Sequence, residues 1–78
     1  MTRVGILMIT DEVQEQIVEV LRNATASGKL GLTTRQIAQQ LKTYRGRIVA
    51  NASVLKERKV LNCQKIGASL LWYLADNE

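Results

Sequence analysis

The sequence predicts an α+β fold, three helices followed by a C-terminal two-stranded β-hairpin, in one small domain. Three observations predict it. Two short amphipathic helical patterns stand in tandem between Leu32 and Leu61, with a polar, basic turn between them. A longer helical pattern precedes them from Asp11. Beyond Lys59 the hydrophobic period changes from that of a helix to that of a strand.

The first helix begins after Thr10, a residue type that caps helix N-termini, with Asp11 and Glu12 placed to favour the positive end of the helix dipole. Val13, Ile17, Val20, Leu21 and Ala24 trace its apolar stripe, and Gln14, Glu15, Glu19, Arg22 and Asn23 are expected to face outward. Ser27-Gly28 stops it, as a C-terminal glycine commonly does. Lys29-Leu30-Gly31-Leu32 reads as a short extended link. Thr33 or Thr34 caps the second helix, which is expected to run to about Lys42 with Ile37, Ala38 and Leu41 on one face. Thr43 or Tyr44 begins the third helix, in which Ile48, Ala52 and Leu55 recur on one side. It ends near Arg58-Lys59. Gly46 either eases the turn before it or leaves room for another backbone to approach closely.

Val60–Ile66 and Leu70–Leu74 then read as strands joined by the turn Gly67-Ala68-Ser69. Trp72 and Leu74 share the face expected to pack inward, with Tyr73 on the other. The order helix, short strand, helix, helix and two-stranded wing is that of a winged helix-turn-helix. Residues 10–75 form this domain. Residues 1–9 are an apolar arm, read either as a strand or as a segment packing on the domain or on a second subunit. Residues 76–78 are a short acidic end.

At this point the chain resembles the winged-helix family of prokaryotic transcription regulators. The resemblance lies in Thr34, Ile37-Ala38, Leu41, Ile48, Ala52, Leu55 and Val60-Leu61. These match a capping Thr, an apolar-Ala pair, a Leu, the apolar ladder of a recognition helix and the start of a wing. Ala68–Leu74 is similar to the wing ending of small FaeA-like regulators of fimbrial operons, single-domain proteins of comparable size. Two positions depart from the family pattern. Lys42-Thr43 stands where a small or apolar pair is common, which bears on the turn between helices two and three. Lys59 stands where glycine often precedes the first wing strand, which bears on how sharply helix three ends.

The formal net charge of +4 is unevenly distributed. Residues 1–28 hold two cations against four anions; residues 29–75 hold nine cations against the single anion Glu57. A basic region confined to one part of a small fold is an electrostatic footprint for a polyanion. The resulting expectation is a sequence-specific double-stranded DNA-binding transcription regulator that places helix three in the major groove. Arg45 and Arg47 are the leading base readers, because arginine can bridge guanine O6 and N7. Asn51 could pair with adenine in the same way, and Ala50 could touch a thymine methyl. Arg35, Lys42, Tyr44, Ser53, Lys56 and Lys65 are the expected phosphate contacts, which give affinity without sequence choice. Arg58 and Lys59 either join them or are simply solvated. Tyr44 either binds phosphate through its hydroxyl or packs against helix two.

Other readings follow from other features. The apolar arm points to a winged helix serving as a protein-interaction module, or to a homodimer formed through residues 1–9. RNA is a weaker candidate, since three aromatic residues in 78 offer no evident platform for stacking bases. An enzyme is not expected: the chain has no histidine and no glycine-rich phosphate loop, and its carboxylates cluster on helix one and at the end. No metal or cofactor is expected for the same reasons. The single Cys63 excludes an internal disulfide, and the six-residue apolar run Val4–Ile9 is too short for a membrane span or signal peptide. The expected location is cytoplasmic.

Overall fold

A computed structural model of the chain describes residues 9–75. The apolar segment up to residue 8 and the acidic end at residues 76–78 lie outside the described residues. In order, the elements are α1 (Asp11–Ala26), β1 (Leu32–Thr33), α2 (Thr34–Leu41), α3 (Arg45–Glu57), β2 (Leu61–Ile66) and β3 (Ser69–Leu74). This is the winged helix-turn-helix arrangement.

Each helix boundary has a local cause. The Val13 amide donates to the Thr10 hydroxyl at 3.2 Å, which caps α1. At the other end Gly28 takes φ +92°, and the Lys29 amide turns back to the Ala24 carbonyl at 2.9 Å. Thr33, not Thr34, caps α2. The Gln36 amide donates to its hydroxyl at 3.2 Å, and the Thr33 amide donates to the Gln36 side-chain oxygen at 2.9 Å. This reciprocal pair satisfies two amides that would otherwise lack partners. Thr34 acts elsewhere. Its hydroxyl accepts from the Trp72 indole at 2.7 Å, inside the core, and ties α2 to β3.

Lys42 and Lys59 both stand in left-handed backbone. Lys42 adopts φ +57°, and the Thr43 amide closes on the Ala38 carbonyl at 3.0 Å. Lys59 adopts φ +66°, and the Val60 amide closes on the Leu55 carbonyl at 2.9 Å. Helix three therefore ends as sharply as it would with glycine. A left-handed conformation at a residue with a Cβ costs about 1 kcal/mol, and this chain carries that strain at the C-termini of both α2 and α3.

The sheet is antiparallel in the order β1-β3-β2. Cys63 and Leu32 both stand opposite Trp72, and Leu61 stands opposite Leu74. The expected two-stranded wing thus gains a third short strand from the link after α1. Gly31 makes this approach possible, since a Cβ there would drive into the Trp72 carbonyl oxygen. The core is aliphatic with one indole: Val13, Ile17, Leu21 and Ala24 of α1 pack against Leu32, Ile37, Ala38, Ile48, Ala52, Leu55, Leu61 and Trp72. Val20 is only half-buried, at the edge of its stripe. Gln14, expected outside, is buried, because its position lies only about 20° from that of Leu21, beside the apolar arc. Among the described residues no helix is long and apolar enough to cross a membrane.

Candidate nucleic-acid interface

At about 100° per residue, the buried residues of α3 (Ile48, Asn51, Ala52 and Leu55) fix the direction of its opposite face. That open face carries Gly46, Ala50, Ser53 and, in the last turn, the exposed Glu57. Arg45, Val49 and Lys56 run along one edge of it. Arg47 and Arg58 run along the other, the edge that meets α1, with the buried Asn51 just inside it: Arg58 donates to Gln14 there, and Arg47 shares a cleft with Glu12, Val13 and Gln16.

The four expected base readers are separated by this arrangement. Arg45 is exposed at the first turn of α3, the end of a recognition helix that commonly meets base edges. Ala50 stands on the open face and is half-buried there. Arg47 is half-buried against α1 and the α2–α3 turn, in a cleft of about 140 Å³ that Leu41 and Thr43 also line. Its Nε is buried without a hydrogen-bond partner. It flanks the open face rather than standing on it. Asn51 does not serve as a base reader in this fold. It has no exposed surface, its Oδ1 accepts from the Thr10 amide at 3.0 Å, and its Nδ2 donates to the Arg47 carbonyl at 2.8 Å. A residue four positions after Arg47 and one before Ala52 lies on the inner side of the helix, where it cannot reach a groove.

The expected phosphate contacts remain accessible. Arg35, Lys42, Tyr44, Ser53, Lys56 and Lys65 are all exposed, as are Arg58 and Lys59. Tyr44 is 57% exposed, and its ring lies 3.5 Å from where a Gly46 Cβ would stand. It therefore packs on the first turn of α3. That spacing is ordinary van der Waals contact, so an alanine would fit at position 46 and the fold itself does not demand glycine there. The acidic residues Asp11, Glu12, Glu15 and Glu19 are exposed on α1.

The chain's architecture is similar to that of AF1382 from Archaeoglobus fulgidus, known from a crystal structure. The superposition has a TM-score of 0.77 at 17% sequence identity and covers 92% of this chain and 78% of that one. At that identity the likeness concerns the fold. No family model matches the sequence. No curated protein matches it either.

Two features of the interface had a signal in the sequence. The Arg47–Asn51–Arg58 alignment follows from helical spacing, so burial of any one member places the other two at the α1 edge. Gln14 lies on the apolar side of α1 by the same rule. The left-handed backbone at Lys42 and Lys59 had no direct signal in the sequence, since lysine is not a residue type that favours it.

Proposed function

We propose that the protein binds double-stranded DNA through α3 in the major groove and acts as a transcription regulator. The observation that carries this reading is the open, small-sided face over the first turns of α3. It has Arg45 at its N-terminal end, with accessible cations beside it on α2, on the far end of α3 and on the wing. Small side chains at Gly46, Ala50 and Ser53 let the helix backbone sit close to base edges, in a groove about as wide as a helix. The acidic face of α1 would be repelled by phosphates, which orients the domain with α1 outward.

With Asn51 buried and Arg47 held at the flank, direct base reading rests chiefly on Arg45. Sequence preference is then modest. A good bidentate arginine–guanine pair discriminates by about 1–3 kcal/mol. A fluorescence anisotropy titration of labelled duplex over a range of salt tests the reading. Four to six phosphate contacts give a log–log slope of about −4 to −5. Absence of binding at about 50 mM salt removes it.

A second reading, a winged helix used as a protein-interaction module, is favoured by an open groove of about 600 Å³ along α1. Val18, Leu55 and Val60 contribute apolar surface to it, and Asp11, Glu15 and Glu19 make one side acidic. A protein partner seated in that groove would leave the duplex titration without salt-dependent binding, which separates the two readings.

A further inference from the structure

Asn51 is conspicuous for what surrounds it. It lies in the middle of α3 with no exposed surface, among Ile48, Ala52 and Leu55, in a core otherwise almost entirely apolar. Its amide is engaged in two directions. Oδ1 accepts from the backbone amide of Thr10 at 3.0 Å, across 41 residues of chain, and Nδ2 donates to the Arg47 carbonyl one turn earlier in α3 at 2.8 Å. Two longer contacts extend the chain of polar groups. Gln14 Nε2 lies 3.5 Å from Asn51 Oδ1, and Arg58 Nη1 donates to Gln14 Oε1 at 3.4 Å. The N-cap of α1 is thereby tied to the middle of α3, and the first turn of α1 to the C-cap of α3.

The aliphatic contacts between α1 and α3 are non-directional, so they tolerate small slides and rotations of one helix on the other. Hydrogen bonds do not. Sliding α3 by one residue moves it about 1.5 Å along its axis and turns its face by about 100°. Far less than that breaks a hydrogen bond of about 3 Å. A buried polar group that is fully satisfied adds uniqueness of packing more than net stability.

We propose that Asn51 is a positioning residue, which sets the depth and rotation at which α3 is presented to DNA by pinning it to the start of α1. The proposal rests on the DNA-binding reading for its purpose. Its structural content, the α1–α3 geometry, can be measured without DNA.

The test uses Asn51→Leu, which keeps the branched shape and removes the side chain's hydrogen bonds, and Asn51→Asp. A neutral carboxylic acid has an acceptor for the Thr10 amide and a donor for the Arg47 carbonyl, so Asn51→Asp should reproduce the wild-type geometry at acid pH and lose it on ionising. Residual dipolar couplings on the isotopically labelled full chain report the angle between α1 and α3. In Asn51→Leu both helices persist and the angle shifts by about 10–20°, the ordinary spread of helix packing. In Asn51→Asp the wild-type angle holds at low pH and departs as pH rises. With DNA, preference for the best selected duplex over random duplex falls about tenfold in Asn51→Leu, while the salt slope stays within about one unit of wild type.

An unchanged angle in Asn51→Leu overturns the proposal. So does failure of neutral Asn51→Asp to fold, which would make the side chain a plain stability element. If the wild-type protein binds no DNA, the functional reading falls and the dipolar couplings still decide the positioning role.

Discussion

The two edges of α3 carry similar residues and do different work. Arg47, Asn51 and Arg58 stand on the side that meets α1, where Asn51 and Arg58 hydrogen-bond to the fold and Arg47 is half-buried in a cleft. Arg45, Val49 and Lys56 stand on the other edge, where the two cations are open to solvent. Arg45 and Arg47 are two residues apart in sequence and chemically identical, yet only Arg45 is open to a partner from outside. Position around the helix, relative to the buried ladder of Ile48, Ala52 and Leu55, assigns them different roles.

That contrast can be broken by substitutions on each side of the helix. The largest effect belongs to the buried ladder. Ile48→Ala should cost about 2–5 kcal/mol in urea unfolding, since Ile48 has no exposed surface. Gly31→Ala should cost about 1–3 kcal/mol by forcing β1 away from the Trp72 carbonyl, with loss of the third strand visible in amide exchange.

Arg45→Ala should leave stability within about 0.5 kcal/mol of wild type and lower affinity for a preferred duplex by about 5–150-fold. Arg47→Ala should do the reverse, with a loss of roughly 1 kcal/mol in stability from its buried stem and a smaller change in affinity than Arg45→Ala. Equal binding losses in the two variants would erase the distinction between the edges.

The smallest expected effect sharpens the picture of α3's end. Lys59→Gly relieves the left-handed strain and should raise the urea midpoint, by a gain of up to about 1 kcal/mol. If Lys59 also contacts phosphate, the salt slope drops by about one unit.

The fold was legible because its signals are local and repeated. Thr10, Asp11 and Glu12 announce the start of α1, and the change of period after Lys59 announces the wing. The short strand after α1 was legible as an extended link, but its pairing with β3 was not, because that pairing depends on a backbone approach that only Gly31 permits, and one glycine in a link has many meanings. The candidate interface was legible as a charge division and as a helix, but not residue by residue. Arg45, Arg47 and Asn51 all fall within two turns of α3, and their fates differ by rotation alone. Asn51 is a polar residue type, more often found outside. Its burial depends on the Thr10 amide, a partner 41 positions away that no local pattern names.

The most direct measurement is amide chemical-shift mapping of the labelled protein on titration with duplex DNA. DNA binding through α3 predicts the largest shifts at Arg45, Gly46, Val49, Ala50 and Ser53, with smaller ones at Arg35, Lys42 and Lys65, and little movement at Glu12, Glu15 and Glu19 on α1. Shifts concentrated on α1, with the open face of α3 unmoved, would contradict it.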